Sequence, residues 1–526
     1  MNTDLAESLA ENFNIQTRDL AEVTFDDFTR SETSSETSSK TGSKQLLDRE
    51  TALNLLVLPL EQKGNRLWVA MADPLNHNKI ADLYAITNLF IEPVFAEESA
   101  IRYFINQIYG ATHIENIASQ FLVEENIRNS QYMLTDETRQ QISSAPTVKL
   151  VDSLIETAVI NRASDIHIEP YENILRARFR IDGQLTNPQI LTVSLHPNVI
   201  SRLKVMGTMN ISEKRMPQDG QFSLIIHGEP IEFRISTLPT IYGEKAVIRL
   251  LYGKNEQLNV AKLGFLPEDM PNIKRMFQNP QGAIIITGPT GSGKSTTLIS
   301  FIAELNKIGV NIVTVEDPVE NPLEGVNHVS IDNKTGFDFP NALRHILRQD
   351  PDIIMIGEIR DSETAEIASR ASITGHLVLS TLHTNDAAGA FPRLVDMGIQ
   401  PYMAAAALSG IIAQRLVRRL CPICKQQQQP TPQECKLLNI SPTAKIFNPK
   451  GCNQCNNTGY KGRFAIYEYI AITENMRNQM AEQQYNLAKI EKILRADNDS
   501  ILKNGIKNVI LGNTSPTEVI RVVFRD

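Results

Sequence analysis

Eight residues, Gly288 to Ser295, read GPTGSGKS; the apolar run GAIIIT precedes them and TTLISFIAEL follows. The glycines let a short loop curl until several backbone N–H groups face one anion, and a helix beginning at the lysine adds its positive end. The chemistry is polyphosphate binding. Lys294 is placed to reach the β and γ phosphates of a nucleoside triphosphate and Ser295 to ligate Mg²⁺, while Gly288, Pro289, Thr290, Gly291, Ser292, Gly293 and Thr296 complete the cradle.

Three further apolar runs end in residues that suit such a ligand. VTVEDPVE (313–320) delivers Glu316, Asp317 and Glu320, DPDIIMIGEIRD (350–361) delivers Glu358, and TGHLVLSTLHTND (374–386) has His376 and His383 at its two ends. In open α/β sheets ligands bind outside the carboxyl edge, so acids emerging there beside a phosphate loop can hold a metal and orient water. Gly357 stands before Glu358 where a second acid is common, so the missing carboxylate is expected from the neighbouring strand. His383, at the carboxyl end of its run, is better placed than His376 to hydrogen-bond a γ-phosphate.

Cys421-Pro-Ile-Cys424 and Cys452-Asn-Gln-Cys455 form two C-x2-C pairs with 27 residues between them. Four thiolates close a tetrahedral zinc shell with no open position, which makes the expected site structural. The fifth cysteine, Cys435, belongs to neither pair and is expected to remain a free thiol.

These groups need elements to hold them. The isoleucine- and valine-rich runs from GAIIITG to HLVLSTL alternate with helical segments, which implies a parallel sheet buried on both faces. The predicted fold is therefore α/β, a P-loop nucleotide-binding core over 252–420, followed by a tetracysteine module over 421–460 and a helical region over 461–526. Two small α+β domains precede it, at 45–112 and 147–251, joined by a polar linker (113–146) and led by a serine-rich tether (1–44). Within the second, alternation along ILRARFRI sets Arg176, Arg178 and Arg180 on one face of a strand.

Composition narrows the class. A chain of 526 residues with 42% hydrophobic and 21% charged residues is ordinary multidomain globular protein. No basic start with an apolar core and no long apolar stretch appears, so the expected location is cytoplasmic. A net charge of −8 argues against broad nucleic-acid binding, which needs a basic surface.

GPTGSGKSTT, VEDPVE, LRQDPDIIMIGEIRDSETAEIA, TGHLVLSTLHTNDA and IIAQRLVRRLCPICK together resemble the Walker A, Asp box, Walker B, His box and zinc-module entry of the type II secretion and type IV pilus-assembly ATPases. The resemblance runs from about Leu46 to the end. It implies ATP hydrolysis with Mg²⁺, a RecA-like core, a PAS-like second domain, and Gly357 as the usual state before the Walker B glutamate. Glu320 and Glu358 are both implied as acids that polarise water or hold its magnesium-bound neighbours. It also implies arginine fingers from the second α+β domain, for which Arg215, Arg234 and Arg249 are candidates; the chain departs from the pattern at Gln221, where arginine is common, which moves the weight to Arg215 and Arg234.

The same resemblance implies a homo-hexameric motor on the cytoplasmic face of the inner membrane. Its partners would be a membrane platform protein and a further assembly protein docking the first domain. A DNA translocase or a nucleotide-gated scaffold with little turnover are the alternatives.

Overall fold

The computed structural model describes residues 47–105 except 48, 99 and 103, and residues 136–524 except 187, 253–257, 333–334, 483–485 and 497–498. The serine-rich tether and 113–135 of the expected linker lie outside the described residues. The chain divides into two units, Met1–Tyr252 and Gly253–Asp526.

The first unit opens with a three-stranded sheet in the order β1 (Val57–Lys63), β2 (Arg66–Met71), β3 (Phe90–Phe95). β1 and β2 are antiparallel, and the turn between them is made at Gly64, whose φ of 61° a side chain would resist. β3 runs parallel to β2, so a crossover is required. The helix His77–Thr87 supplies it, capped by the Asn76 side chain, which accepts from Lys79 N at 3.2 Å, and ended by Asn88 in the left-handed region.

A second sheet contains β4 (Asp165–Pro170), β5 (Ile174–Ile181), β6 (Gln184–Leu185), β7 (Gln189–Thr192), β8 (Gln218–Ile226), β9 (Glu229–Thr240) and β10 (Gly243–Tyr252). The order is β6-β5-β4-β10-β9-β8, with β7 also on β5, and every pair is antiparallel. Helices Asp136–Ile160 and His196–Met206 cover one face, burying Leu154, Ile155, Val199 and Leu203 against Ile166, Ile168 and Ile248. The first of these helices begins at Asp136, so the last part of the stretch read as a polar linker is helical. Its sequence, DETRQQISSAP, lacks the apolar spacing that marks a helix, which is why only the segment from Thr147 onward signalled one.

The outward face of this sheet is an ionic lattice. Arg176, Arg178 and Arg180 share it, as their alternation predicts, and Glu169 accepts from Arg176 and Arg178 at 2.9 Å while lying 3.1 Å from Lys245 Nζ. Burial alone would raise the Glu169 pKa, but Arg178, Lys245 and Arg176 outweigh it and hold it at about 2.

The second unit is built on β11 (Gly282–Thr287), β12 (Ile312–Glu316), β13 (Asn327–Ser330), β14 (Ile353–Ile356), β15 (Leu377–Leu382), β16 (Leu408–Leu420), the short ribbon β17 (Lys425–Gln428) and β18 (Ile446–Pro449), and β19 (Tyr460–Ala471). The main sheet runs β13-β12-β14-β15-β11-β16-β19, parallel throughout except for β19, which is antiparallel to β16. β11, β14 and β15 are buried at every residue, which matches their unbroken apolar sequence. Ile285, Val315, Ile354 and Val378 face one helical layer, and Ile284, Ile286, Met355 and Leu379 the other.

β19 corrects the expectation of a wholly helical 461–526. The first part of that region is a long strand, and the helices Glu474–Glu482, Leu487–Arg495, Ile501–Ile510 and Pro516–Val523 follow it. The cysteine module is thus an insertion between two antiparallel neighbours, β16 and β19, of the main sheet. Among the described residues, no helix is long and apolar enough to cross a membrane.

Candidate active site and cysteine cluster

The phosphate loop leaves β11 at Thr287 and enters the helix Lys294–Leu305. Gly288 has φ 144°, and a Cβ there would sit 2.5 Å from the Gln414 carbonyl oxygen, so only glycine fits. The helix start at Gly293 has no side-chain cap, and the buried Ser292 hydroxyl has no partner. Open N–H groups and an orphaned hydroxyl at a helix start are donors suited to phosphate oxygens. Lys294 Nζ donates to the carbonyls of Gly288 at 2.8 Å and Pro289 at 3.1 Å. Burial lowers its pKa, with Arg415 adding to the effect and the Glu358 carboxylate opposing it.

Glu358 follows β14 at the same carboxyl edge and is ion-paired with Arg360. Its other oxygen lies 3.5 Å from His383 Nε2, and His383 follows β15. Asp317 joins through Arg360, whose Nη1 is 4.0 Å from Asp317 Oδ2. The edge therefore collects Lys294, Asp317, Glu358, Arg360 and His383 from four adjacent strands, β11, β12, β14 and β15. Glu320 lies exposed in the loop after Asp317.

Two of the candidate residues do not join this cluster. Glu316 is buried and committed to a local network: it accepts from Thr314 Oγ1 at 2.7 Å and pairs with His328 Nδ1 at 2.9 Å. His328 Nε2 in turn accepts from Leu323 N at 2.9 Å, so this cluster braces the loop that carries Asp317 and Glu320. His376 sits before β15, at the opposite edge of the sheet from the phosphate loop, with Nδ1 3.0 Å from Ala371 O and its carbonyl accepting from Gly282 N. A strand of six residues spans roughly 20 Å, so His376 and His383 do not share a site.

Sequence reading missed two neighbours on β16, having taken that segment only as the entry to the cysteine module. Gln414 is fully buried; its Nε2 donates to Ser292 O at 2.8 Å and its Oε1 accepts from Thr297 Oγ1 at 3.0 Å. It thereby fastens the phosphate loop to the sheet. Arg415 is 8% exposed and donates through Nη2 to Asn385 O at 3.1 Å, two residues past His383. Polar residues in an otherwise apolar run, IIAQRLV, were the available signal.

The candidate finger arginines lie in the first unit. Arg215 is in the segment between the helix His196–Met206 and β8, with a side chain 91% exposed and 3.7 Å from Glu213. Arg234 and Arg249 pair in register on β9 and β10, and Gln221 is opposite Arg234 on β8, so the three form one row across the sheet. Arg249 donates to Asp165 at 3.1 Å.

The four paired cysteines converge. Their sulfurs all lie within 4.8 Å of one another, and the separations of Cys421 to Cys452, Cys424 to Cys455 and Cys452 to Cys455 are 3.8, 3.7 and 3.7 Å. A tetrahedron with metal–sulfur bonds of about 2.3 Å has sulfur–sulfur edges of about 3.8 Å, so the cluster has the dimensions of a zinc shell. Gly459 N donates to Cys455 Sγ at 3.1 Å, the kind of hydrogen bond that favours a thiolate. Cys435 is outside the cluster.

Residues 140–521 match the family described as Type II/IV secretion system protein, and residues 35–115 match the MshEN domain. The chain belongs to the type II/IV secretion ATPase family. The Type IV pilus assembly ATPase PilB of Myxococcus xanthus is 41% identical over 484 residues, covering 90% of this chain and 86% of that protein. The Type II secretion system protein E of Aeromonas hydrophila is 44% identical over 411 residues, covering 77% and 80%. Among solved structures, the Legionella pneumophila ATPase DotB aligns over 70% of this chain and 94% of its own with a TM-score of 0.53 and 22% identity, a likeness of fold.

Proposed function

We propose that this chain is a motor that hydrolyses ATP to drive assembly of type IV pilins or type II pseudopilins at the inner membrane, working as a homo-hexamer on the cytoplasmic face. The observation that carries this reading is the meeting of Lys294, Glu358 and His383 at one sheet edge, with Glu358 close enough to Lys294 to affect its titration. The relatives named for pilus assembly and for type II secretion support both cargo classes.

ATP with Mg²⁺, when bound, would supply an electrophilic γ-phosphate. The uncapped helix start, the Ser292 hydroxyl and Lys294 would hold its phosphates, and Ser295 its metal. Glu358 must leave Arg360 to act on water, and the exposure of Arg360, 61%, makes that exchange inexpensive. Glu320 is the second candidate for polarising water, Asp317 helps hold Arg360, and His383 fixes the Glu358 carboxylate. Arg215, Arg234 and Arg249 are the candidate charge-stabilising fingers; their guanidinium forks suit a crowded phosphate. The four thiolates of Cys421, Cys424, Cys452 and Cys455 would hold structural Zn²⁺. The first domain, 45–112, would dock the membrane platform protein or a further assembly protein.

Purified protein assayed for phosphate release, as wild type and Glu358→Gln, with and without DNA, tests the reading. Turnover that DNA leaves unchanged and the variant abolishes is expected. Stimulation by DNA would indicate a translocase, and no turnover in the wild type a scaffold.

A further inference from the structure

Arg415 presents an imbalance. Its guanidinium is buried, its Nη2 is used by Asn385 O, and its Nη1 is buried with no hydrogen-bond partner. A buried cation with an unpaired donor is costly unless an anion completes it. No carboxylate is paired with Arg415 among the described residues, although acids are plentiful nearby: Glu358 is held by Arg360, Asp386 by Arg495 at 2.7 Å, and Glu468 accepts from Ala387 N and Ile501 N.

The position of the residue says which anion. Thr287, the last residue of β11 before the phosphate loop, lies opposite Ala413, so Arg415 stands on the neighbouring strand two residues further toward the loop. Its charge reaches Lys294, whose pKa it helps to lower. The strand backbone just before it runs against the loop, since a Cβ at Gly288 would sit 2.5 Å from the Gln414 carbonyl oxygen. Two buried cations, Lys294 and Arg415, thus stand beside a cradle of open backbone N–H groups.

We propose that Arg415 is a phosphate ligand supplied from within the subunit: Nη1 takes an oxygen of the nucleotide's phosphate chain while Nη2 keeps hold of Asn385. One guanidinium would then connect the bound phosphates to the loop that carries His383. Arginine suits the task because its planar fork serves two acceptors at once, where lysine offers a point charge. This role rests on the reading of the loop as a nucleotide site.

The test is binding, not turnover. Full-length protein as wild type, Arg415→Gln and Arg415→Lys is titrated with a fluorescent ATP analogue, and the analogue is displaced with inorganic tripolyphosphate, both with Mg²⁺. Loss of one charge-assisted hydrogen bond predicts affinities about 10- to 100-fold weaker for both ligands in Arg415→Gln and a smaller loss in Arg415→Lys. A residue that merely braced the Asn385 loop would lower kcat and leave tripolyphosphate affinity unchanged, and that result would overturn the proposal.

Should Arg415→Gln fail to fold, a structure of the wild type with a non-hydrolysable ATP analogue decides. Arg415 Nη1 within hydrogen-bond reach of a phosphate oxygen supports the assignment, and Nη1 beyond reach of all of them ends it. Failure of the fluorescent ATP analogue to bind the wild type would instead refute the nucleotide site itself.

Discussion

Replacing Gln414 by leucine keeps much of the side-chain volume and removes every hydrogen bond it makes. Two buried groups lose their partner, the Ser292 carbonyl at 2.8 Å and the Thr297 hydroxyl at 3.0 Å. Leaving a buried polar group unsatisfied costs about 1–3 kcal/mol. Thr297 can turn its hydroxyl back to the carbonyl one helical turn earlier, so its share falls at the low end. Ser292 has no such recourse, and the two together come to about 2–4 kcal/mol. For a unit of this size, about 2–4 °C of Tm per kcal/mol gives a fall of roughly 4–16 °C. Calorimetry without nucleotide reads that fall. Because Ser292 belongs to the phosphate loop, ATP affinity should weaken by about tenfold as well. Gln414→Glu should be worse, since it turns a carboxylate oxygen toward the Ser292 carbonyl. A Tm within 1 °C of wild type and an ATP Kd within about twofold would refute the idea that Gln414 fastens the loop.

Further outcomes follow from the same geometry. One zinc per chain should be measured by elemental analysis, and Cys424→Ser should lose it and unfold at lower temperature; a metal-free wild type of equal stability would contradict the structural role. Glu518 is buried, which by itself raises its pKa, but Arg521 and Arg418 hold it below the ordinary carboxylate value. Its stabilisation is therefore fully present above the unfolded pKa of about 4.3 and lost as pH falls toward the folded one. Glu518→Gln should flatten the stability curve below about pH 4.5 and destabilise at neutral pH by roughly 2–4 kcal/mol, as measured by urea unfolding; an unchanged acid limb would count against the pair.

Much of the fold was legible because its signals are local. The phosphate loop carries its strand, turn and helix within one short segment, and the two cysteine pairs announce a shared cluster by spacing alone. Continuous apolar runs revealed β11, β12, β14 and β15 for the same reason. Gln414 was hidden because its partners lie 117 and 122 residues away, and a glutamine in sequence says nothing of what it will meet. β19 was hidden by its company. It follows the second cysteine pair, precedes a long helical tail, and becomes a strand through pairing with β16 across the inserted module. His376 and Glu316 were placed by proximity in sequence to strand ends, but a strand has two ends, and a side chain at the correct one can still be claimed by a neighbour such as His328.

The central claim is that the phosphate loop, Glu358 and His383 act on one nucleotide. A double-mutant cycle in kcat between Glu358→Gln and His383→Ala tests it most directly, since the two side chains lie 3.5 Å apart. Groups acting as a unit give strongly non-additive losses. The double variant should be no slower than the slower single variant. Losses that simply multiply would mean that the two residues work independently, and the account of a single converged site would fail.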